Sequence, residues 1–135
     1  MSPHRSLALA GILSAVTAVG MAIAPAASAT SASAYTGTSS KGGYGYGWWD
    51  NDASFEKTLG ACDYGSADGL RAVAILKLNG GAPIEVHAAS GSGSCNSAPI
   101  YGAETGDSFS FKVCLRDGAS GYDRLCSSTR TGYVS

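Results

Sequence analysis

Charge is scarce in this sequence. Lys, Arg, Asp and Glu make up 14% of the 135 residues and the net charge is −1, which excludes the basic, phosphate-binding composition of a nucleic-acid partner. Histidine is nearly missing, with His87 the only one beyond the N-terminal His4. No Cys-x-x-Cys pair occurs, so neither a zinc ribbon nor a thioredoxin-type redox pair is encoded. No Gly-x-Ser-x-Gly elbow occurs either, so no serine stands out as a hydrolase nucleophile. Between Thr30 and Asn51 there is no Val, Ile, Leu or Phe at all. After the first 29 residues no apolar run approaches membrane length.

The N-terminus is the exception. Leu7–Ile23 is an almost unbroken apolar run after Arg5, Pro25 ends it, and Ala27-Ser28-Ala29 supplies a small-x-small cleavage pattern. This reads as a secretory signal over 1–29. The expectation is an exported, extracellular protein with no membrane association after cleavage. Loss of Arg5 from the nine basic residues would leave eight against ten acidic, a net charge of −2.

Composition then divides the remainder. Residues 30–54 are rich in Gly, Ser and Tyr and end in Tyr44-Gly45-Tyr46-Gly47-Trp48-Trp49. Without Val, Ile, Leu or Phe the segment reads as a flexible arm. All Val, Ile, Leu and Phe beyond residue 29 fall in 55–135, the expected folded domain. At roughly 80 residues such a domain needs covalent staples.

The domain reads as all-β. In Leu70–Leu78, Ala72, Ala74, Leu76 and Leu78 share one face and Val73 and Ile75 the other, as in a strand buried on both sides. Asn79-Gly80 is a hairpin turn signal, and Ile84, Val86 and Ala88 alternate with Glu85 and His87 beyond it. Ser90–Ser97 reads as a loop and Ile100-Tyr101 as a short strand. Phe109, Phe111, Val113 and Leu115 then alternate with polar residues. The fold class expected is a small antiparallel β-sandwich with two disulfides and a flexible N-terminal arm.

Four cysteines in a small exported domain imply two disulfides. A last hairpin centred on Ser120 sets Leu115 opposite Leu125 on the core side, Cys114 opposite Cys126, and Arg116 opposite Arg124. That register favours Cys114–Cys126 and leaves Cys62–Cys95.

Several stretches resemble a set of small secreted actinobacterial proteins. They are Phe55-Glu56-Lys57, Cys62-Asp63-Tyr64-Gly65-Ser66-Ala67-Asp68-Gly69, Glu104-Thr105-Gly106-Asp107 and Lys112-Val113-Cys114-Leu115-Arg116. The resemblance spans about 55–135, leaves out the aromatic arm, and implies a disulfide-linked β-sandwich. It transfers no activity and no functional residue.

Two surfaces are candidates for binding. Trp48 and Trp49, with Tyr44 and Tyr46, offer flat rings for stacking on sugars or anchoring in a protein interface. Adjacent residues on a strand point to opposite faces, so one Trp buried and one exposed is the natural arrangement. Lys112, Arg116 and Arg124 form a cationic set suited to an acidic ligand, with Asp117 and Asp123 nearby to offset it. His87 reads as an exposed strand histidine. Asp50, Asp52 and Glu56, or Asp63 and Asp68, offer oxygen ligands for calcium, but ordinary turn chemistry accounts for them, so no metal and no cofactor is expected. The function expected is a monomeric, non-enzymatic extracellular module binding a protein or glycan. Its rivals are a structural or cell-surface component, or an inhibitor of a secreted enzyme.

Overall fold

The computed structural model describes residues 31–52 and 56–135. The expected signal segment 1–29 and the arm–domain boundary at Phe55 lie outside the described residues. Strand β4 (Arg71–Leu78) is the centre of the architecture. Its alternation works as the sequence implies: Ala72, Ala74 and Leu76 enter the main core, while Val73 and Ile75 join Cys114 in a second cluster on the opposite face. Asn79 and Gly80 both take positive φ, 51° and 68°, and the Gly81 amide donates to the Leu78 carbonyl at 2.8 Å, a tight turn of the kind hairpins favour within the longer connection from Leu76 to its partner Ile84. The turn returns the chain as β5 (Ile84–Ala88), with Ala74 opposite Val86.

On its other edge β4 pairs antiparallel with β7 (Ser108–Arg116), and β7 pairs in turn with the short β8 (Asp123–Arg124) and with β9 (Arg130–Tyr133). The second sheet runs β1-β2-β3-β6: Ala32–Tyr35, Gly43–Asp50, Thr58–Gly65 and Cys95–Pro99. All pairings are antiparallel, and no helix occurs among the described residues. The sheets face each other across one core. Trp49, Leu59 and Ala61 enter it from one side, and Leu76, Phe111, Val113 and Leu115 from the other.

The N-terminal segment corrects the sequence reading. Residues 31–50 are not an arm; they supply β1 and β2, two of the four strands of one sheet. The reason lies in the glycine alternation. Gly43, Gly45 and Gly47 point inward, so the backbone of β2 packs directly on the opposite sheet. A Cβ at Gly45 would lie 2.7 Å from the Ala72 Cβ, and one at Gly47 would lie 2.9 Å from the Val113 Cβ. Close backbone approach replaces aliphatic bulk, which a count of Val, Ile, Leu and Phe does not register. Asn51 then ties β2 to the chain end: its buried side chain donates to the Tyr133 carbonyl at 2.9 Å and accepts from the Ser135 amide at 3.3 Å.

Three smaller expectations also change. Cys95–Pro99 is strand β6 rather than loop, held by backbone pairing to β3 with its side chains largely in solvent. Ile100 is buried beyond the strand end and Tyr101 is an exposed turn residue. In the last hairpin the register slips by one, so that Leu115 faces Arg124 and Arg116 faces Asp123. Leu125 takes φ 48° and is exposed rather than core. This left-handed residue restores phase beyond it, since Ser127 donates to the Val113 carbonyl. Both expected disulfides, Cys62–Cys95 and Cys114–Cys126, are present and no free cysteine remains.

Candidate functional site

Inward glycines on β2 force its intervening residues outward. Tyr44, Tyr46 and Trp48 therefore stand in a row on the outer face of the β1-β2-β3-β6 sheet. The neighbouring strands extend the row. Tyr35 on β1 lies opposite Tyr46, and Tyr64 on β3 lies opposite Tyr44. Ring centroids are 4.8 Å apart for Tyr35–Tyr46, 5.9 Å for Tyr46–Trp48, 6.2 Å for Tyr35–Tyr44 and 5.8 Å for Tyr44–Tyr64. Tyr46 and Trp48 are stacked at an interplanar angle of 25°. Five aromatic side chains thus form one continuous surface.

The indole of Trp48 lies flat because the residue opposite it is Gly60. A Cβ at Gly60 would fall 2.0 Å from Trp48 Cζ2, so any other residue there must lift the ring off the sheet. Beside it a shallow depression of about 320 Å³ is bordered by Ser31, Ser33, Tyr46, Trp48 and Asp50. Ser31 Oγ donates to Asp50 Oδ1 at 3.2 Å, and the rim therefore carries hydroxyl and carboxylate groups next to flat rings.

The sequence candidates separate accordingly. Trp48 and Tyr46 belong to this platform. Trp49 does not: it points the other way, is fully buried, and packs edge-on to Phe109 at 6.2 Å. The signal for Tyr35 and Tyr64 was present only as isolated tyrosines, because their place on the platform depends on strand pairing.

Lys112, Arg116 and Arg124 do not form a free cationic set. Arg116 is buried, with its side chain 9% exposed, and makes a bidentate pair with Glu85 at 2.8 and 2.9 Å. Its Nε and Nη2 also donate to Asp123 Oδ1 at 2.9 and 2.7 Å. Lys112 reaches Asp123 at 3.8 Å. Arg124 is exposed and borders a different hollow with Lys41 and Asp117. The expected Arg116–Arg124 juxtaposition fails because the one-residue slip brings Asp123 opposite Arg116 instead. His87 Nε2 lies 3.1 Å from Glu85 Oε2, on the edge of the same network. Cys114, Cys126 and Asp123 also converge, but both sulfurs are closed in a disulfide and offer no thiolate.

This network has a measurable consequence. The hydrogen bond from Arg116 holds the Glu85 carboxyl below its ordinary value of 4.5, against an opposing effect of burial. A carboxyl depressed in the folded state contributes stability above its unfolded value, and that stability is lost as pH falls through the folded value. Arg116→Met removes the partner shared by Glu85 and Asp123 and leaves them only the longer Lys112–Asp123 contact and the His87–Glu85 contact. It is expected to cost about 2–3 kcal/mol near neutrality, below the usual loss for a fully buried pair because both carboxylates keep some solvent access. Urea midpoints at about pH 7 and pH 3 test this. The gap between variant and wild type should narrow on acidification, and a gap independent of pH would contradict the assignment.

In comparisons with protein-family models, curated proteins and solved structures, nothing matches this chain.

Proposed function

We propose that this chain is an exported, non-enzymatic binding module that holds a glycan on the outer face of the β1-β2-β3-β6 sheet. The observation that carries the reading is the Trp48 indole lying flat over Gly60 and stacked with Tyr46. A core strand has no need to place three aromatics in a row on the side away from the core. A sugar ring presents an apolar face of C–H groups to such a surface, and its hydroxyls project sideways to the Ser33 and Asp50 rim. The closed disulfides suit an extracellular setting.

The experiment is retention on insoluble chitin, cellulose and purified cell wall, with soluble oligosaccharides as competitors. Trp48→Ala and Tyr46→Ala are expected to weaken retention about tenfold or more, the loss typical of an aromatic anchor. Gly60→Ala is expected to do the same without removing any aromatic ring, because it displaces the indole. All three variants should keep the wild-type circular dichroism spectrum. Retention that persists in Trp48→Ala, or its absence on every polysaccharide, would overturn the glycan reading and favour a protein partner for the same rings.

A further inference from the structure

A second site lies at one end of the sandwich, where β3 gives way to the turn leading into β4. Asp63 occupies an inward position on β3, in phase with Leu59 and Ala61, and is only 4% exposed. Its backbone is fixed, with the amide donating to the Ser94 carbonyl at 2.8 Å and the carbonyl accepting from the Gly93 amide at 2.6 Å. Its carboxylate, by contrast, has no hydrogen-bond or ion-pair partner among the described residues. The oxygens meet solvent only through the cavity they line, so they have far less water around them than a surface carboxylate.

Asp68 faces the same space. One oxygen, Oδ1, accepts from the Leu70 amide at 2.8 Å and fixes the turn. The other, Oδ2, is buried and has no partner among the described residues. It rests where glycine leaves room: a Cβ at Gly43 would lie 2.2 Å from Oδ2. Asp63 and Asp68 both line one cavity of about 260 Å³, together with Arg71 and Ser92. Arg71 forms no ion pair with either carboxylate. Ser92 Oγ donates its proton to the Gly65 carbonyl, which leaves the hydroxyl oxygen's lone pairs free for another partner.

We propose that this cavity is a calcium site, with the Asp63 and Asp68 carboxylates as its charged ligands and Ser92 Oγ as a neutral one. Every donor named is oxygen, and no imidazole or thiolate lines the cavity; that chemistry selects a hard cation over zinc or copper. The cavity is open, so water completes the coordination, and calcium tolerates the irregular geometry that magnesium does not. Two carboxylates are a low charge count, which places the affinity in the range of extracellular calcium modules, a Kd on the order of 0.1–1 mM. The ion would join three elements through Gly43, Asp63 and the 66–70 turn, and so fasten the end of the sheet that carries Tyr44 and Tyr64.

The test is calorimetric titration of CaCl2 into the oxidised full chain, with thermal melts in EDTA and in about 10 mM CaCl2 at matched ionic strength. The wild type is expected to bind in the stated range and to gain roughly 5–10 °C in Tm. Asp63→Asn should abolish both responses while melting in EDTA at or above the wild type, because it removes a buried repulsion and keeps the shape. Asp68→Asn, which retains the acceptor for the Leu70 amide, should also abolish them. No heat and no calcium-dependent Tm in the wild type would overturn the proposal. A full response retained in Asp63→Asn would overturn it equally.

Discussion

Replacing Trp49 by alanine is expected to cost about 3–5 kcal/mol, the range for truncating a buried aromatic, while the same change at Trp48 should alter stability by no more than about 1 kcal/mol. The two residues are neighbours in sequence and both are tryptophan, so the difference is one of environment alone. Trp49 is fully buried, sits opposite Leu59 across the strand pair, and meets Phe109 edge-on. The other inward positions of β2 are Gly43, Gly45 and Gly47. Trp49 is thus the whole apolar side-chain contribution of β2 to the core, and no neighbour on its own strand can fill the void it leaves. Set against a typical total of about 5–15 kcal/mol, such a loss brings the fold close to its limit. Trp49→Phe should be milder, since the Trp49 Nε1 is buried without a partner among the described residues and its removal offsets part of the cavity cost. Urea midpoints of the three variants decide this. Equal losses at positions 48 and 49 would contradict the assignment of faces.

That contrast also marks where the sequence was readable. Alternation is a local property, so the two-sided burial of β4, the Asn79-Gly80 hairpin and the opposite facing of Trp48 and Trp49 follow from neighbouring residues. The cysteine pairs followed from alternation plus an assumed turn. The failures are those in which a distant partner decides. Glycine in β2 looks like disorder until the Ala72 and Val113 side chains of the other sheet are brought against it. Leu125 looks like a core residue until a left-handed φ turns it out, and that slip exchanges a repulsive Arg116–Arg124 pair for an attractive Arg116–Asp123 one. The platform was half visible. Tyr44, Tyr46 and Trp48 lie on one strand, but Tyr35 and Tyr64 join only through strand register, and Gly60 has meaning only beneath the indole.

The second large effect is expected from the bridge Cys62–Cys95, and it should be regional. Its loop of 33 residues gives a chain-entropy contribution of about 3–4 kcal/mol, against about 3 kcal/mol for the 12-residue loop of Cys114–Cys126. The estimates are close, but the two bridges hold different things. Four of the five residues of β6 are exposed and only Ala98 is half-buried, so this edge strand is held by backbone pairing to β3 and by the disulfide, with little apolar burial. Cys114 is instead fully buried against Val73 and Ile75. Replacing Cys62 and Cys95 by serine should therefore lower the urea midpoint and speed hydrogen exchange first at the β6 amides, with β4 and β7 still protected. Cys62 lies opposite Tyr46, and Cys95 Sγ is 3.8 Å from the Tyr64 hydroxyl, so glycan retention should fall in the same variant. Replacing Cys114 and Cys126 should instead loosen the outer face of β4 and β7 and leave retention intact. Matching exchange patterns in the two serine pairs would contradict this division, because a bridge acting only on the unfolded chain has no preferred place in the fold.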